Sequence, residues 1–205
     1  FRKCSFIRSY VPELPVPMEE VARAAELIDK AERPMVVYGQ GVILGGAEKA
    51  LAEFIEKGDI PAASTLLGLA ALPSSSRLYQ GMIGMHGNVA PNIKTNECDV
   101  LIAVGMRFDD RVTGTLSKYA KQAKVIHIDI DASEIGKIVP VEVGINANAA
   151  EVLPALTSMI SERRRDAWVD SFSECARIEC EKVIDRELRP GEGHIRMGEV
   201  IDKVS

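Results

Sequence analysis

The sequence predicts an α/β fold in which helices cover both faces of a parallel sheet. Two observations support this prediction. Short, continuous apolar runs such as "PMVVY" (34–38) and "VLIAV" (100–104) lack the alternation of half-exposed strands. Between such runs, apolar residues recur at helical spacing. Strands that alternate with helices are typical of a sheet built from crossover connections.

The first half of the chain alternates helix and strand. Three prolines in residues 12–17 indicate an extended segment before the first helix. The predicted elements are a helix carrying Val21, Ala24, Ala25 and Ile28, a strand in "RPMVVYGQG", a helix carrying Ala47, Ala50, Leu51 and Phe54, and a strand in "DIPAASTLLG". Residues 68–87 are rich in Gly, Ser and Met, and we expect them to be irregular.

The second half continues the pattern. It begins with the weakly helical stretch "NVAPNIKTNECD" and continues with strands in "VLIAVG", "KVIHIDID" and "VEVGI". Asn148 is a suitable N-cap for a helix whose apolar face holds Val152, Ala155, Leu156 and Met159. A last helix is predicted from Arg165 to Leu188, ended by Pro190-Gly191.

Composition argues against several function classes. The 205 residues carry a net charge of −5 without a basic block, which disfavours nucleic-acid binding. No apolar stretch approaches the roughly 20 residues of a membrane span, so no membrane association is expected. The four cysteines form no CxxC pair and the three histidines are scattered, so we expect reduced thiols in a cytoplasmic protein and no metal site.

Four predicted strands end in loops suited to a ligand. Ligands of parallel sheets bind at the carboxyl ends of the strands, where such loops meet. The loops contain Gly39 and Gly41, Thr65, Gly105 with the charged run Arg107 to Arg111, and Asp129 with Asp131. Glycines allow close backbone approach to a phosphate, and an acid at a strand end often binds a ribose hydroxyl. Together the loops favour a large anionic nucleotide.

Each of these loops also has a purely structural interpretation. The cluster from Arg107 to Arg111 could be a set of internal salt bridges that stiffens its loop. Asp129 and Asp131 could cap the turn that follows them. Spacing alone does not choose between these interpretations and ligand binding.

The sequence shows no recognisable arrangement of catalytic residues. No Ser-His-Asp or Cys-His arrangement is suggested. His86 lies between glycines and could touch a ligand, whereas His127 lies within a strand and is expected to be a core histidine. We therefore predict no catalytic residue in this chain.

Three stretches resemble a known family. "GMIGMHGNVAPN", "DVLIAVGMRFDDRVTG" and "KVIHIDIDASEIGK" are similar to the central domain of the large subunit of acetohydroxyacid (acetolactate) synthases, which are thiamine-diphosphate enzymes. The similarity covers roughly residues 18–160. It implies a three-layer, Rossmann-like domain with a six-stranded parallel sheet, and a bound FAD that is structural in the reaction.

The resemblance also implies which residues contact FAD. Arg107 and Asp109 match the contacts of the family's G-x-RFDDR loop. The residues implied are Gly39, Gln40, Gly41, Thr65, Leu66, Met85, His86, Gly87, Gly105, Met106, Arg107, Asp109, Arg111, Val112, Asp129, Ile130, Glu134 and Asn148. One departure is that Ala147-Asn148 stands where the family usually has Gly-Asp, which keeps the helix cap but loses a charge.

The domain organisation follows from the same resemblance. It implies an interdomain linker at 1–17, the FAD-binding-type α/β domain at 18–163, a helical connector at 164–190 and the start of a pyrophosphate-binding domain at 191–205. The family's catalytic glutamate lies in the preceding domain, and its GDG…N motif for Mg²⁺ and thiamine diphosphate lies in the following one. The resemblance thus implies that this chain alone is not catalytic.

The implied whole enzyme condenses pyruvate with pyruvate or 2-oxobutanoate in branched-chain amino-acid biosynthesis. It would be a homo-oligomer of catalytic subunits with a small regulatory subunit. Two alternatives are kept: the central domain of another thiamine enzyme, of the glyoxylate carboligase or pyruvate oxidase type, and a stand-alone nucleotide-binding module. The joint presence of GMHG and RFDDRVTG favours the synthase.

Overall fold

A computed structural model describes residues 14–189 and 193–204. Its centre is a six-stranded, all-parallel sheet with the strand order β3-β2-β1-β4-β5-β6. The strands are β1 (Pro34–Tyr38), β2 (Ala62–Ser64), β3 (Tyr79–Met82), β4 (Val100–Val104), β5 (Lys124–Asp129) and β6 (Val143–Asn146). The predicted α/β class and the six-stranded parallel sheet are confirmed.

Helices cover both faces of this sheet. The helices among the described residues are α1 (Met18–Lys30), α2 (Gln40–Leu44), α3 (Glu48–Gly58), α4 (Val89–Lys94), α5 (Asp110–Thr113), α6 (Ala149–Met159), α7 (Asp166–Glu179), α8 (Asp185–Leu188) and α9 (Met197–Val204). Helices α1, α3 and α6 pack on one face, and α4 and α7 supply core residues to the other. None of the described helices is long and apolar enough to cross a membrane.

Burial on both faces explains the continuous apolar runs. In β1, Val36 and Tyr38 point into the core beneath α1, α3 and α6, while Met35 and Val37 point into the opposite core. Successive side chains of a strand alternate between faces. Because both faces are buried, apolar and aromatic side chains occupy successive positions of β1, and the run carries no alternation.

Strand β3 lies in the stretch that was expected to be irregular. Its four residues are all half-buried, and its register against β2 shifts between Ala62 and Ser64. Gly81, inside the strand, has φ = +92°. This strand forms the sheet edge and lacks an apolar run, so composition alone did not reveal it.

The last predicted helix is interrupted. Helix α7 is followed by a π-helical turn at Cys180–Ile184 and then by α8. Trp168, Val169 and Phe172 of α7 are buried, and the Trp168 indole N–H donates to the Pro34 carbonyl at 2.8 Å. The predicted connector therefore begins with a helix packed on the sheet, while the domain boundaries themselves stay a prediction.

A buried arginine fixes the start of α7. The Arg165 guanidinium donates to the carbonyls of Ile28, Ala31 and Gly58, at the ends of α1 and α3. The Arg165 backbone N–H donates to the buried Asp59 carboxylate at 2.6 Å. A cation at helix C-termini is favourable because the carbonyls there lack partners. Three helices are thereby joined at the amino-terminal edge of the sheet. The predicted linker 1–17 and the segment 191–205 lie partly outside the described residues.

Candidate functional site

A cleft of about 400 Å³ lies at the carboxyl edge of the sheet. This volume is in the range of small-molecule sites in proteins. The cleft is lined by Gly39, Gln40, Gly41, Leu44, Thr65, Leu66, Leu67, Met82, Ile83, Met85, His86, Gly105, Met106, Arg107, Asp109, Arg111, Val112 and Asp129. The loops that follow β1 to β4 thus meet the carboxyl end of β5 at one place.

Most residues predicted from the sequence line this cleft, and four do not. Those that lie away from its lining are Gly87, Ile130, Glu134 and Asn148, and lining residues missed by the prediction are Leu44, Leu67, Met82 and Ile83. The missed residues are apolar, and their types resemble core residues in the sequence. Only the position of their loops shows that they face a cleft.

The four residues outside the lining have other positions. Asn148 caps α6, since its side-chain oxygen accepts from the Ala150 N–H at 3.0 Å. Glu134 lines a smaller neighbouring cleft of about 240 Å³. Ile130 is exposed. Gly87 closes a tight turn, because a Cβ there would lie 2.3 Å from the Met82 carbonyl oxygen.

Three glycines pack the first and fourth loops against each other. A Cβ on Gly39 would lie 2.6 Å from the Gly105 carbonyl oxygen, and one on Gly41 would lie 2.6 Å from the Gly105 Cα. The Gly41 N–H donates to the Gly105 carbonyl at 2.9 Å, and Gly105 has φ = +54°. Glycine is therefore required at these positions for packing, independently of any ligand. The three glycines let two backbones touch at the floor of the cleft.

The charged run combines both interpretations. Arg107 and Asp109 are 3.7 Å apart, and Arg111 and Asp110 are 3.3 Å apart, so the charges do pair. The Arg107 and Arg111 side chains are nevertheless largely exposed beside the cleft, where solvent weakens such pairs. Asp109 also caps α5 by accepting from the Val112 N–H at 3.2 Å. Both guanidinium groups can turn to a ligand at small energetic cost.

The GMHG turn forms another wall of the cleft and is tied to its neighbours. The Met85 N–H donates to the Arg111 carbonyl at 2.7 Å, which joins this turn to the charged run. The Asn92 side chain accepts from the Gly84 N–H at 3.0 Å and donates to the Gly84 carbonyl at 2.9 Å. Gly84 has φ = +106°, a conformation suited to glycine. The turn is therefore held on two sides.

Asp129 lines the cleft at the end of β5, and the buried His127 lies behind it in the same strand. The nearly buried Asp129 accepts from the Asp131 N–H at 2.8 Å, which is the turn-capping contact considered above. Burial raises the pKa of Asp129, although the Asp131 N–H and His127 oppose that shift. His127 is fully buried, and its Nε2–H donates to the Met106 carbonyl at 2.9 Å. This contact agrees with the predicted core position of His127.

We predict that His127 makes stability pH-dependent. Burial lowers the pKa of His127, with the Met106 carbonyl and Asp129 acting in the opposite direction. Below the unfolded-state pKa of about 6.5, the unfolded chain takes up a proton that the native chain binds less readily. Stability should therefore fall between pH 7.5 and 5.5, by at most about 1.4 kcal/mol per pH unit. Urea unfolding at several pH values measures this loss. His127→Gln, which can keep the donor to Met106, should flatten the dependence; an equally steep dependence would contradict the assignment.

Four exposed apolar side chains form a rim beside the cleft. Leu44, Leu66, Leu67 and Met85, hereafter the apolar rim, are between 62% and 77% exposed. A cluster of large exposed apolar residues is uncommon unless something covers it. The cleft thus offers guanidinium groups and a carboxylate at its polar side and aliphatic surface at its rim. No group of three or more His, Cys, Asp or Glu within residues 14–189 and 193–204 could hold a metal ion.

Comparison with known proteins identifies the family. The profile described as "Thiamine pyrophosphate enzyme, central domain" matches residues 21–156. The "Probable acetolactate synthase large subunit" of Methanocaldococcus jannaschii is 41% identical over 162 residues, covering 78% of this chain and 27% of that protein. The "Acetolactate synthase isozyme 2 large subunit" of Escherichia coli is 43% identical over 150 residues, covering 73% of this chain and 27% of that protein.

The "Acetolactate synthase large subunit" of Corynebacterium glutamicum is 42% identical over 156 residues, covering 74% of this chain and 25% of that protein. The chain thus spans about a quarter of the length of these relatives. The matched segment contains all six strands and every residue that lines the cleft. The chain therefore belongs to the thiamine pyrophosphate enzyme central-domain family.

Proposed function

We propose that this chain is the flavin-holding central domain of an acetolactate synthase large subunit. The observation that carries the proposal is the cleft, where five strand ends bring two exposed arginines, a strand-end carboxylate and an apolar rim together. Relatives named as acetolactate synthase large subunits, at about 40% identity, support the choice of enzyme. Their match includes the residues of the cleft.

The residues at the cleft fit FAD chemically. Arg107 and Arg111 would bind the diphosphate, since guanidinium groups form charge-assisted bonds to phosphate oxygens. Asp129 would accept from a ribose hydroxyl. The apolar rim would cover part of a flat ring that extends beyond the 400 Å³ of the cleft. FAD would serve as a structural group there, and the chain's own role is to bind and orient it.

The predicted cofactor contacts form part of this proposal. We propose that the residues lining the cleft contact FAD directly, including the four apolar residues that the sequence did not predict. Gly87 and Asn148 would act indirectly, through the turn and the helix cap that they form. Ile130 and Glu134 lie nearby and would be reached only by a ligand that leaves the cleft toward β5.

The activity belongs to the whole protein. We propose that it joins pyruvate to pyruvate or 2-oxobutanoate in the cytoplasm, with thiamine diphosphate and Mg²⁺ held by the neighbouring domains at either side of 18–163. The words "large subunit" in the relatives' names support a smaller partner, and we propose a regulatory one beside a homo-oligomer of the large subunit. In this chain alone we expect no synthase activity, since the proposed catalytic groups lie elsewhere.

Arg107→Ala tests the proposed flavin site in the full-length protein. Loss of one charge-assisted contact should cost about 1.5–3 kcal/mol, or roughly ten- to hundredfold in FAD affinity. Flavin fluorescence measures the dissociation constant. Lys118→Ala is a matched control, because it removes an exposed cation that does not line the cleft. An unchanged affinity in Arg107→Ala, or an equal loss in both variants, would refute this assignment.

A further inference from the structure

Helix α7 reaches the wall of the cleft through one carboxylate. Glu179, the last residue of α7, accepts from the Val89 N–H at 2.9 Å and from the Asn88 side-chain amide at 3.4 Å. Val89 opens α4, and Asn88 directly follows the GMHG turn. The family profile ends at residue 156, so this contact comes from outside the matched segment.

Helix α7, which carries Glu179, is anchored to the rest of the domain by buried aromatic residues. Phe172 is fully buried and meets Trp168 edge-to-face, with ring centroids 5.2 Å apart. At the other end of α4, Lys94 lies over the Trp168 ring at 5.6 Å. Helices α4 and α7 are therefore antiparallel neighbours fixed at the end opposite Glu179. This arrangement gives the carboxylate a defined position against the start of α4.

Asn88 connects Glu179 to the lining of the cleft. Its side-chain oxygen accepts from the Met82 N–H at 2.9 Å, and Met82 lines the cleft. Residues 83–87 connect Met82 to Asn88. Within this segment the Met85 N–H donates to the Arg111 carbonyl at 2.7 Å. A short series of hydrogen bonds thus joins Glu179 to the GMHG turn and to the charged run.

We propose that Glu179 is a positioning residue that holds the GMHG wall of the cleft in its binding conformation. The proposal rests on the proposed function only in taking FAD as the ligand. Glu179 touches no ligand itself and acts through Asn88. Helix α7 would in this way set the affinity of a site whose lining lies entirely within residues 39–129.

The polarity of the bonds requires an acceptor at position 179. Because the Asn88 oxygen faces the Met82 N–H, its NH₂ group must face Glu179. A carboxylate accepts at both oxygens, whereas a glutamine accepts at only one. Glu179→Gln therefore leaves either the Val89 N–H or the Asn88 NH₂ without an acceptor. Asn88→Asp fails differently, since it sets two carboxylates against each other.

Combining Asn88→Asp with Glu179→Gln reverses the direction of the hydrogen bond between these two side chains and so restores it. With Asn88→Asp and Glu179→Gln together, the aspartate at 88 accepts from the Met82 N–H and from the new glutamine amide. The oxygen of that glutamine still accepts from the Val89 N–H. Rescue by this pair depends on bond direction and not on charge or size alone. A role for Glu179 that does not pass through its bond with Asn88 would not produce it.

Amide hydrogen exchange of the full-length protein, first without FAD, tests the proposal. Each single variant should speed exchange at Met82, Gly84 and Val89 about tenfold, as expected for one lost hydrogen bond. The amides of β4 should keep wild-type protection, and the double variant should return the loop to nearly wild-type rates. Glu174→Gln, on the same helix but paired with Arg177, is the control and should change nothing at these amides.

An FAD titration separates this proposal from the proposed function. Glu179→Gln should weaken FAD binding about three- to tenfold, the range for residues that act through others, and the double variant should recover it. Unchanged loop exchange, absence of rescue, or loop changes without loss of affinity would each overturn the positioning role. If wild-type protein binds no FAD, the proposed function fails, and the exchange rates alone decide whether Glu179 positions the loop.

Discussion

Gly105→Ala is expected to destabilise this chain by about 2–5 kcal/mol. Two costs add at this position. An alanine at φ = +54° is strained by about 1–2 kcal/mol. Its Cβ would also lie 2.7 Å from the Gly41 Cα and 2.9 Å from the Val42 nitrogen, and these are backbone atoms that cannot rotate away. The loops after β1 and β4 would have to separate, which opens the floor of the cleft.

Gly114→Ala is the matched control for this variant. Gly114 lies in the following turn at nearly the same φ, +56°, but a Cβ there would meet nothing within 4 Å. With ψ at −121° it lies outside the left-handed helical region, so the variant should cost conformational strain alone, about 1–3 kcal/mol. Urea unfolding gives both free energies. Equal losses in the two variants would show that the contact between the loops contributes nothing and that only strain matters.

Phe172→Ala is expected to cost about 3–5 kcal/mol, the usual loss for a buried phenylalanine. The ring is fully buried, meets Trp168 edge-to-face and belongs to the same hydrophobic core as side chains of β1 and β4. Removing it leaves a cavity that a sheet and a helix, each rigid, fill poorly. Phe172→Leu should lose less, because most of the volume stays.

Val183→Ala provides the control for the helical segment. Val183 lies in the π-helical turn and is 53% exposed, so its truncation should change stability by no more than about 0.5 kcal/mol. Unfolding curves of the three variants test whether α7 is part of the folded unit. If Phe172→Ala were as mild as Val183→Ala, the segment from 164 would contribute little to the stability of the domain and would act only as a connector.

The fold was largely predictable because most strands are buried on both faces. Runs such as residues 34–38 and 100–104 hold only apolar side chains and proline, and helical spacing separates them. Strand β3 was not predictable in this way. It is half-buried, contains a glycine with positive φ and is recruited to the edge by pairing with β2. Pairing of that kind leaves little trace in composition.

The candidate site, like the fold, was only partly predictable from the sequence. Sequence patterns place Gly39, Gly41, the Arg107 to Arg111 run and Asp129 at strand ends, and parallel strands bring such ends to one edge of the sheet. The sequence left open whether the charges pair with each other, and the structure shows that they pair loosely at an exposed cleft. The close packing of Gly39 and Gly41 against Gly105 became visible only in the folded chain.

Tertiary packing also placed Leu44 and Leu67 at the apolar rim and Glu179 beside Asn88. The physical reason is the range of the interactions. Periodicity and turn chemistry act between neighbours in sequence, so the sequence records them directly. The contact between Glu179 and Asn88 spans 91 positions and exists only once α7 has packed against α4 through Trp168.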